Sequence, residues 1–278
     1  MKRIFFSLGC LCIATLSYSQ PLITPQLSPT QTLKQNFALS SIELSYSRPS
    51  VKGRKVFETE VAPYGKVWRT GANTATTLTF AEEVQIGGTK IPAGKYGLLS
   101  IPNRDEWTLI ITKQTDVTSA GAYKQESDVV RYTAKPVKLN QPVETFTIQF
   151  ANITAGTTDL QIMWENTMVS LPIVAETDKK IMAQIDNTLN KDSRPYMASA
   201  MYYVDNNKDL NQAVAWFDKA IEQNPKSFNA YYQKANALAK LGKKEEARKA
   251  ANKSLELAKE AKNDNSVKLN EKFLADLK

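Results

Sequence analysis

The chain has 278 residues with a formal net charge of +8, and 42% of its residues are hydrophobic against 23% charged. That balance excludes a disordered chain, and the length suits two ordinary domains. There is no histidine, and both cysteines, Cys10 and Cys12, fall near the start. Ser-His-Asp and Cys-His catalysis are therefore excluded from the rest of the chain, as are zinc sites of the Cys/His type.

In chain order, residues 1–20 read as a secretory signal peptide. "MKR" is a positive n-region, "IFFSLGCLCIATL" an apolar h-region, and "SYSQ" offers small residues for cleavage near Ser19. The expectation is export, to the periplasm or beyond it. No later apolar run reaches the ~18–20 residues that span a bilayer. Residues 21–35, with three prolines among Thr, Ser and Gln, read as an extended lead-in.

Residues 36–174 carry period-two alternation broken by Gly, Pro and Asn. In "SIELSYS", Ile42, Leu44 and Tyr46 share one face. Gly87-Gly88 in "VQIGGTKI" supplies the positive φ angles of a two-residue hairpin turn. "KYGLLSI" and "EWTLIIT" follow, joined by "PNRD". Then come "ETFTIQF", "DLQIMWE" and "TMVSLPI", with a turn expected near Asn166 between the last two. Nine or ten short strands without helices between them predict an antiparallel β-sandwich or jelly-roll-like domain.

From residue 175 to 278 the period becomes 3.6. Ile181, Ile185 and Leu189 line one helical face. "DLNQAVAWFDKAIEQNP" then aligns with "KKEEARKAANKSLELAK" at an offset of 34 residues, pairing Ala213 with Ala247 and Phe217 with Ala251. A 34-residue helix-turn-helix period is the tetratricopeptide signature. The prediction is an all-α tetratricopeptide-like repeat domain with copies at about 194–227 and 228–261, capped by a helix on either side. In the first copy "DNNKD" replaces the usual Gly-centred turn. Asp205, Asn207 and Asp209 imitate the opening of a calcium loop, but Leu210 stands where its glycine belongs, so Asp209 reads as a helix N-cap.

Acids and bases are interspersed through both halves, with no basic block between aromatic platforms, so no nucleic-acid partner is expected. Glu82 and Glu83, adjacent on a strand edge, point to opposite faces and make a poor catalytic pair. Glu58 and Glu60, two apart, would share a face if extended, with nothing in sequence to complete a cation site.

The most conspicuous polar stretch is "KVWRTGANTATTLTF", residues 66–80. It admits two readings. In one, Trp68 is buried, Arg69 caps carbonyls or pairs with an acid, and Gly71 and Asn73 simply turn the chain. In the other, Arg69 and Asn73 face a shallow pocket with Tyr64 or Trp68 as an apolar platform. A guanidinium fork there suits a carboxylate or phosphate, and an aromatic face beside an amide suits a sugar. Arg48 and Arg54, from "SRPSVKGRKVF", precede the stretch and are candidates to join it.

"SYSRPSVKGRKVF", "APYGKVWRTGANTATTLTF", "IPAGKYGLLSIP", "EWTLIITK" and "DVVRY", in that order, resemble the family of domain of unknown function 2911, secreted bacterial proteins that often carry tetratricopeptide-like helices. The resemblance spans residues 36–174. It implies that Arg48, Pro49, Gly53, Arg54, Trp68, Arg69, Gly71, Ala72 and Asn73 belong to the family pattern, and it brings no activity with it. "TSAGAY" departs from the pattern, with Ala120 where an aromatic residue is expected before Gly121.

The expectation is an exported binding protein. Arg48, Arg54, Trp68, Arg69 and Asn73 would hold a glycan-like or acidic small molecule, and the repeats would dock a protein. No cofactor, metal or catalytic residue is expected. Two alternatives stand beside it: a carboxylate-dependent hydrolase or lyase, and a purely structural envelope protein.

Overall fold

A computed structural model describes residues 24–189 and 195–277; the predicted signal peptide lies outside them. The chain divides into two units, residues 1–176 and 177–278.

The first unit contains β1 (Thr30–Phe37), β2 (Ser40–Ser47), β3 (Thr77–Phe80), β4 (Val84–Ile86) and β5 (Thr89–Ile91). It continues with β6 (Gly94–Ile101), β7 (Trp107–Thr112), β8 (Asp128–Ala134), β9 (Val137–Ala151) and β10 (Thr157–Val174). They form two antiparallel sheets, ordered β1-β2-β3-β6-β7-β8 and β5-β4-β10-β9. One core lies between the sheets, fed by Ile42, Leu44 and Tyr46 from β2 and by Ile148, Leu160 and Ile162 from β9 and β10. Alternation in "SIELSYS" therefore does what period two requires: its apolar residues are buried while Glu43 stays in water. Gly87 and Gly88 take φ of 57° and 79° and close the β4–β5 hairpin, the primed turn that Gly-Gly encodes.

Two strand expectations need correction. Residues 30–35, read as lead-in, are most of β1, which pairs along its full length with β2. Their polar composition hid a sheet-edge strand whose alternate residues are only half-buried. The turn expected near Asn166 is instead a β-bulge inside a continuous β10, with Glu165 at φ 47°. Its reason lies in the phase of the sequence. Leu160, Ile162 and Trp164 are buried at even positions, and Val169, Leu171 and Ile173 at odd ones. Extra residues at the bulge let both halves of one strand face the same core.

β6 is buried on both faces. Leu98 joins the main core, while Leu99 joins Ile110 and Val117 in a small cluster on the opposite face. Residues 113–127, with two 3₁₀ turns (Ala120–Ala122 and Gln125–Ser127), form the segment over that second cluster. A Cβ added at Gly97 would sit 2.1 Å from the Gln114 carbonyl oxygen. Only a glycine allows this backbone to approach β6 so closely.

The second unit contains α1 (Asp178–Leu189), α2 (Tyr196–Asp205), α3 (Leu210–Gln223), α4 (Phe228–Lys240), α5 (Lys244–Glu260) and α6 (Asp264–Asp276). Fully buried Ala213, Phe217, Ala247 and Ala251 sit where consecutive helices meet, as their 34-residue offset predicts. The Ser254 hydroxyl, on α5, donates to the Phe228 carbonyl at 2.7 Å. Asp209 caps α3 by accepting from the Asn211 amide at 2.9 Å, and no cluster of metal-ligating side chains occurs among the described residues. Asn207 at φ 51° performs the left-handed turn that Gly242 makes at φ 76° in the next hairpin. α1 packs through Ile181, Met182 and Leu189 against the α2–α3 pair, and α6 through Phe273 and Leu274 against α4 and α5.

Candidate functional site

The "WRTGAN" stretch is built from its backbone outward. The Trp68 amide donates to the Ser100 carbonyl at 2.7 Å, and the Ser100 amide returns a bond at 3.0 Å, tying the stretch to β6. Thr70, at φ 55°, donates its hydroxyl to Ser100 Oγ at 2.9 Å. The Thr76 hydroxyl donates back to the Thr70 carbonyl at 2.7 Å, so the turn closes on itself. Gly71 holds φ 151° at the point where a Cβ would lie 3.0 Å from Thr76 Oγ1 and 3.1 Å from the Ser47 carbonyl. A side chain there meets both an unfavourable torsion and a close neighbour.

Trp68 faces the core. It is 5% exposed, and its indole stacks on Trp164 at 5.8 Å, with Phe146 and Trp107 edge-on around it. Burying it contributes about 2–3 kcal/mol, and a ring so enclosed cannot serve as a sugar platform. Tyr64, the other candidate platform, packs against the same core, and burial raises its pKa.

Arg69 points the opposite way, as alternation requires. Its Nη1 donates to the Thr118 carbonyl at 2.7 Å and to the Asn73 carbonyl at 3.0 Å. It thus fastens the 113–127 loop to the turn. Asn73, at φ 54°, donates its amide to the Ser28 carbonyl at 3.0 Å and pins the segment that leads into β1. Arg48 is committed elsewhere: Nε donates to the Phe146 carbonyl at 3.2 Å and Nη2 to Thr147 Oγ1 at 3.0 Å. It joins the end of β2 to β9, one sheet to the other. Arg54 is exposed and donates Nε and Nη2 to the carbonyls of Val51 and Ser50 at 3.1 and 2.8 Å.

Beside the turn lies an open cleft of about 490 Å³. Of the five residues singled out in the sequence, Arg54, Trp68 and Arg69 line it; Arg48 and Asn73 do not. Pro49 and Pro63 contribute apolar wall, and Thr118, Ser119 and Ala120 form another side. Sequence reasoning touched that last wall only through the departure of "TSAGAY" from the family pattern. It also grouped Glu60 with Glu58, and the fold separates them. Glu60 lines the cleft, whereas Glu58 bonds Lys55 and, at 3.2 Å, Arg104. The hydrogen bond from Lys55, then that from Arg104, holds the Glu58 carboxyl below its ordinary pKa.

The loop that forms the cleft wall is anchored at its far end. The Tyr123 hydroxyl donates to Asp128 Oδ2 at 2.6 Å, and Arg131 Nη1 donates to both, at 2.7 and 2.9 Å. Burial and the neighbouring carboxylate push the Tyr123 pKa up to about 12. The Gln114 side chain ties the loop across its middle by donating to the Ala122 carbonyl and accepting from the Lys124 amide.

Residues 28–173, from the cleft-lining Ser28 to the last but one residue of β10, match the family model described as "Protein of unknown function (DUF2911)". The chain belongs to the DUF2911 family. Two tetratricopeptide repeat models match beyond the DUF2911 domain, at residues 193–227 and 216–249. Comparison with curated proteins and with solved structures gives no match. No helix among the described residues is long and apolar enough to cross a membrane.

Proposed function

We propose that the protein is an exported two-domain binding protein whose sandwich holds a carboxylate-bearing ligand in the Arg69 cleft. Tetratricopeptide repeats are protein-docking elements, and their presence supports a protein partner for the helical unit. The observation that carries the ligand reading is the state of Arg69. Its Nη1 is fully used on two carbonyls, Nε and Nη2 have no partner among the described residues, and the residue lines a cleft. A guanidinium held rigidly by one nitrogen offers the remaining edge in a fixed orientation, which suits a planar anion. The glycan-like reading loses ground because Trp68 is enclosed in the core. The hydrolase reading also loses ground, since Glu60 is the single acid lining this cleft and glycoside hydrolysis works with two.

The test is a titration of the mature protein with a panel of small carboxylates, followed by NMR of the arginine side chains. Saturable shifts at Arg69, with the affinity for the same carboxylate lost in Arg69→Lys, support the reading; a panel that leaves the Arg69 resonance unmoved refutes it. Export is checked separately, by fractionating cells that express the chain with and without residues 1–20. Retention of the full chain in the cytoplasm would sink that part.

A further inference from the structure

The Arg69 cleft contains both signs of charge, and they do not neutralise each other. Arg54 and Arg69 line it together with Glu60, yet neither guanidinium is ion-paired with Glu60 or with any other described carboxylate. Glu60 is exposed and has no hydrogen-bond or ion-pair partner among the described residues. Some acids of the same unit are paired, Glu58 with Lys55 and Arg104, Asp128 with Arg131 and Glu83 with Lys90; Glu60 stands unpaired although two guanidinium groups line the same cleft. Opposite charges that share one cleft without collapsing onto one another leave space between them. The backbone explains why they stay apart. Arg69 is tethered by two carbonyls and Arg54 by the carbonyls of Ser50 and Val51, so neither can swing toward Glu60 without breaking those bonds.

We infer that the cleft takes a zwitterion, an amino acid or a short peptide with free termini, its carboxylate on Arg69 and Arg54 and its ammonium on Glu60. This rests on the carboxylate reading above and adds the cationic half of the ligand. The apolar wall from Pro49, Pro63 and Val67 suits a small aliphatic side chain between the two charged ends. Selectivity follows from the uncompensated carboxylate. A ligand with only an anionic group leaves Glu60 facing like charge, whereas a zwitterion satisfies both walls at once.

The probes are alanyl-alanine, trialanine, N-acetyl-alanyl-alanine and alanyl-alanine amide, titrated by calorimetry against wild type and Glu60→Gln. Glu60 has no partner to lose, so an unchanged melting temperature verifies that the variant is folded. At least one of the two free-terminus peptides binds wild type about tenfold more tightly than N-acetyl-alanyl-alanine, the scale of one exposed charge-assisted contact. Glu60→Gln removes that preference, weakening the free peptide and, with the like charge gone, leaving N-acetyl-alanyl-alanine bound at least as tightly as before. If the acetylated peptide binds wild type as well as the free one, or if Glu60→Gln keeps the preference, the zwitterion inference falls while the carboxylate reading stands. If the amide binds as well as the free acid, the carboxylate reading falls. If no probe binds, the zwitterion inference is overturned, and the carboxylate panel decides the broader reading on its own.

Discussion

Arg69→Ala is the perturbation with the most to say about the site. The substitution removes two hydrogen bonds from one nitrogen, at 2.7 and 3.0 Å, that join the 113–127 loop to the "WRTGAN" turn. Bonds of a charged donor are worth up to about 3 kcal/mol when buried, and about 0.5–1.5 for ordinary pairs. Thr118 and Asn73 are both exposed, so water can take over their carbonyls and the lower range applies, about 1–2 kcal/mol in total. For a domain of this size that lowers the melting temperature by roughly 3–8 °C. Trp68, Trp107 and Trp164 are in the sandwich and Trp216 in the helices, so tryptophan fluorescence reports mainly on the relevant unit. Hydrogen exchange should quicken in residues 113–127 while the β6–β7 ladder stays protected. Arg69→Lys, a single ammonium on a flexible stem, should recover part of the loss. A fall well beyond 10 °C would contradict the reasoning, because two solvated caps cannot supply it; so would loop exchange that does not change.

Other expectations follow from the same geometry. Gly97→Ala places a methyl against the Gln114 carbonyl and should cost about 1–3 kcal/mol in urea unfolding, whereas Gly121→Ala, with nothing within 4 Å, should be near neutral; equal behaviour of the two would remove the close-approach argument. Tyr123, raised to about 12 by burial and by Asp128, should be among the last tyrosines to ionise, with Tyr202, also raised to about 12. An unfolded tyrosine ionises near 10, so Tyr123 contributes stability that is complete below about pH 10 and disappears as pH rises toward 12. Tyrosinate absorbance should show Tyr123→Phe losing part of the latest-titrating fraction. Asp209→Ala removes the α3 N-cap and should destabilise the helical unit by about 1 kcal/mol, seen as an earlier loss of helical circular dichroism; an unaltered transition would mean the cap is redundant.

Much of the architecture was legible because period and punctuation agree. Ile42, Leu44 and Tyr46 announced a half-buried strand, Gly87-Gly88 a primed turn, and the spacing of Ala213 and Ala247 a helical repeat. Where the reading missed, one pattern had two structural solutions. The phase change between Trp164 and Val169 accommodates either a turn or a bulge, and only pairing with β9 through both halves selects the bulge. β1 was hidden because an edge strand that is half in water needs little apolar alternation. The site was legible in part. Arg54, Trp68 and Arg69 were singled out and do line one cleft, but Trp68 belongs to it only by its margin. Arg48 and Asn73 serve the scaffold, each committed to main chain from a distant segment. Thr118 and Ser119 had no signal of their own, since their approach to Arg69 depends on a loop route made open by Gly97, far away in sequence.

That route makes the cleft wall an interchangeable part. The loop is fixed to the sandwich at a few places: the bare backbone of Gly97, the Tyr123–Asp128–Arg131 knot near its end, and the Arg69 clasp near its crest. Between those anchors, residues 118–122 are exposed and contribute nothing to the main core. Lengthening or rewriting them would reshape one wall of the cleft while every sheet contact stayed in place. A scaffold built this way can vary the shape of its cleft at almost no cost to its folding, and an engineer could graft a new wall onto it at the same anchors.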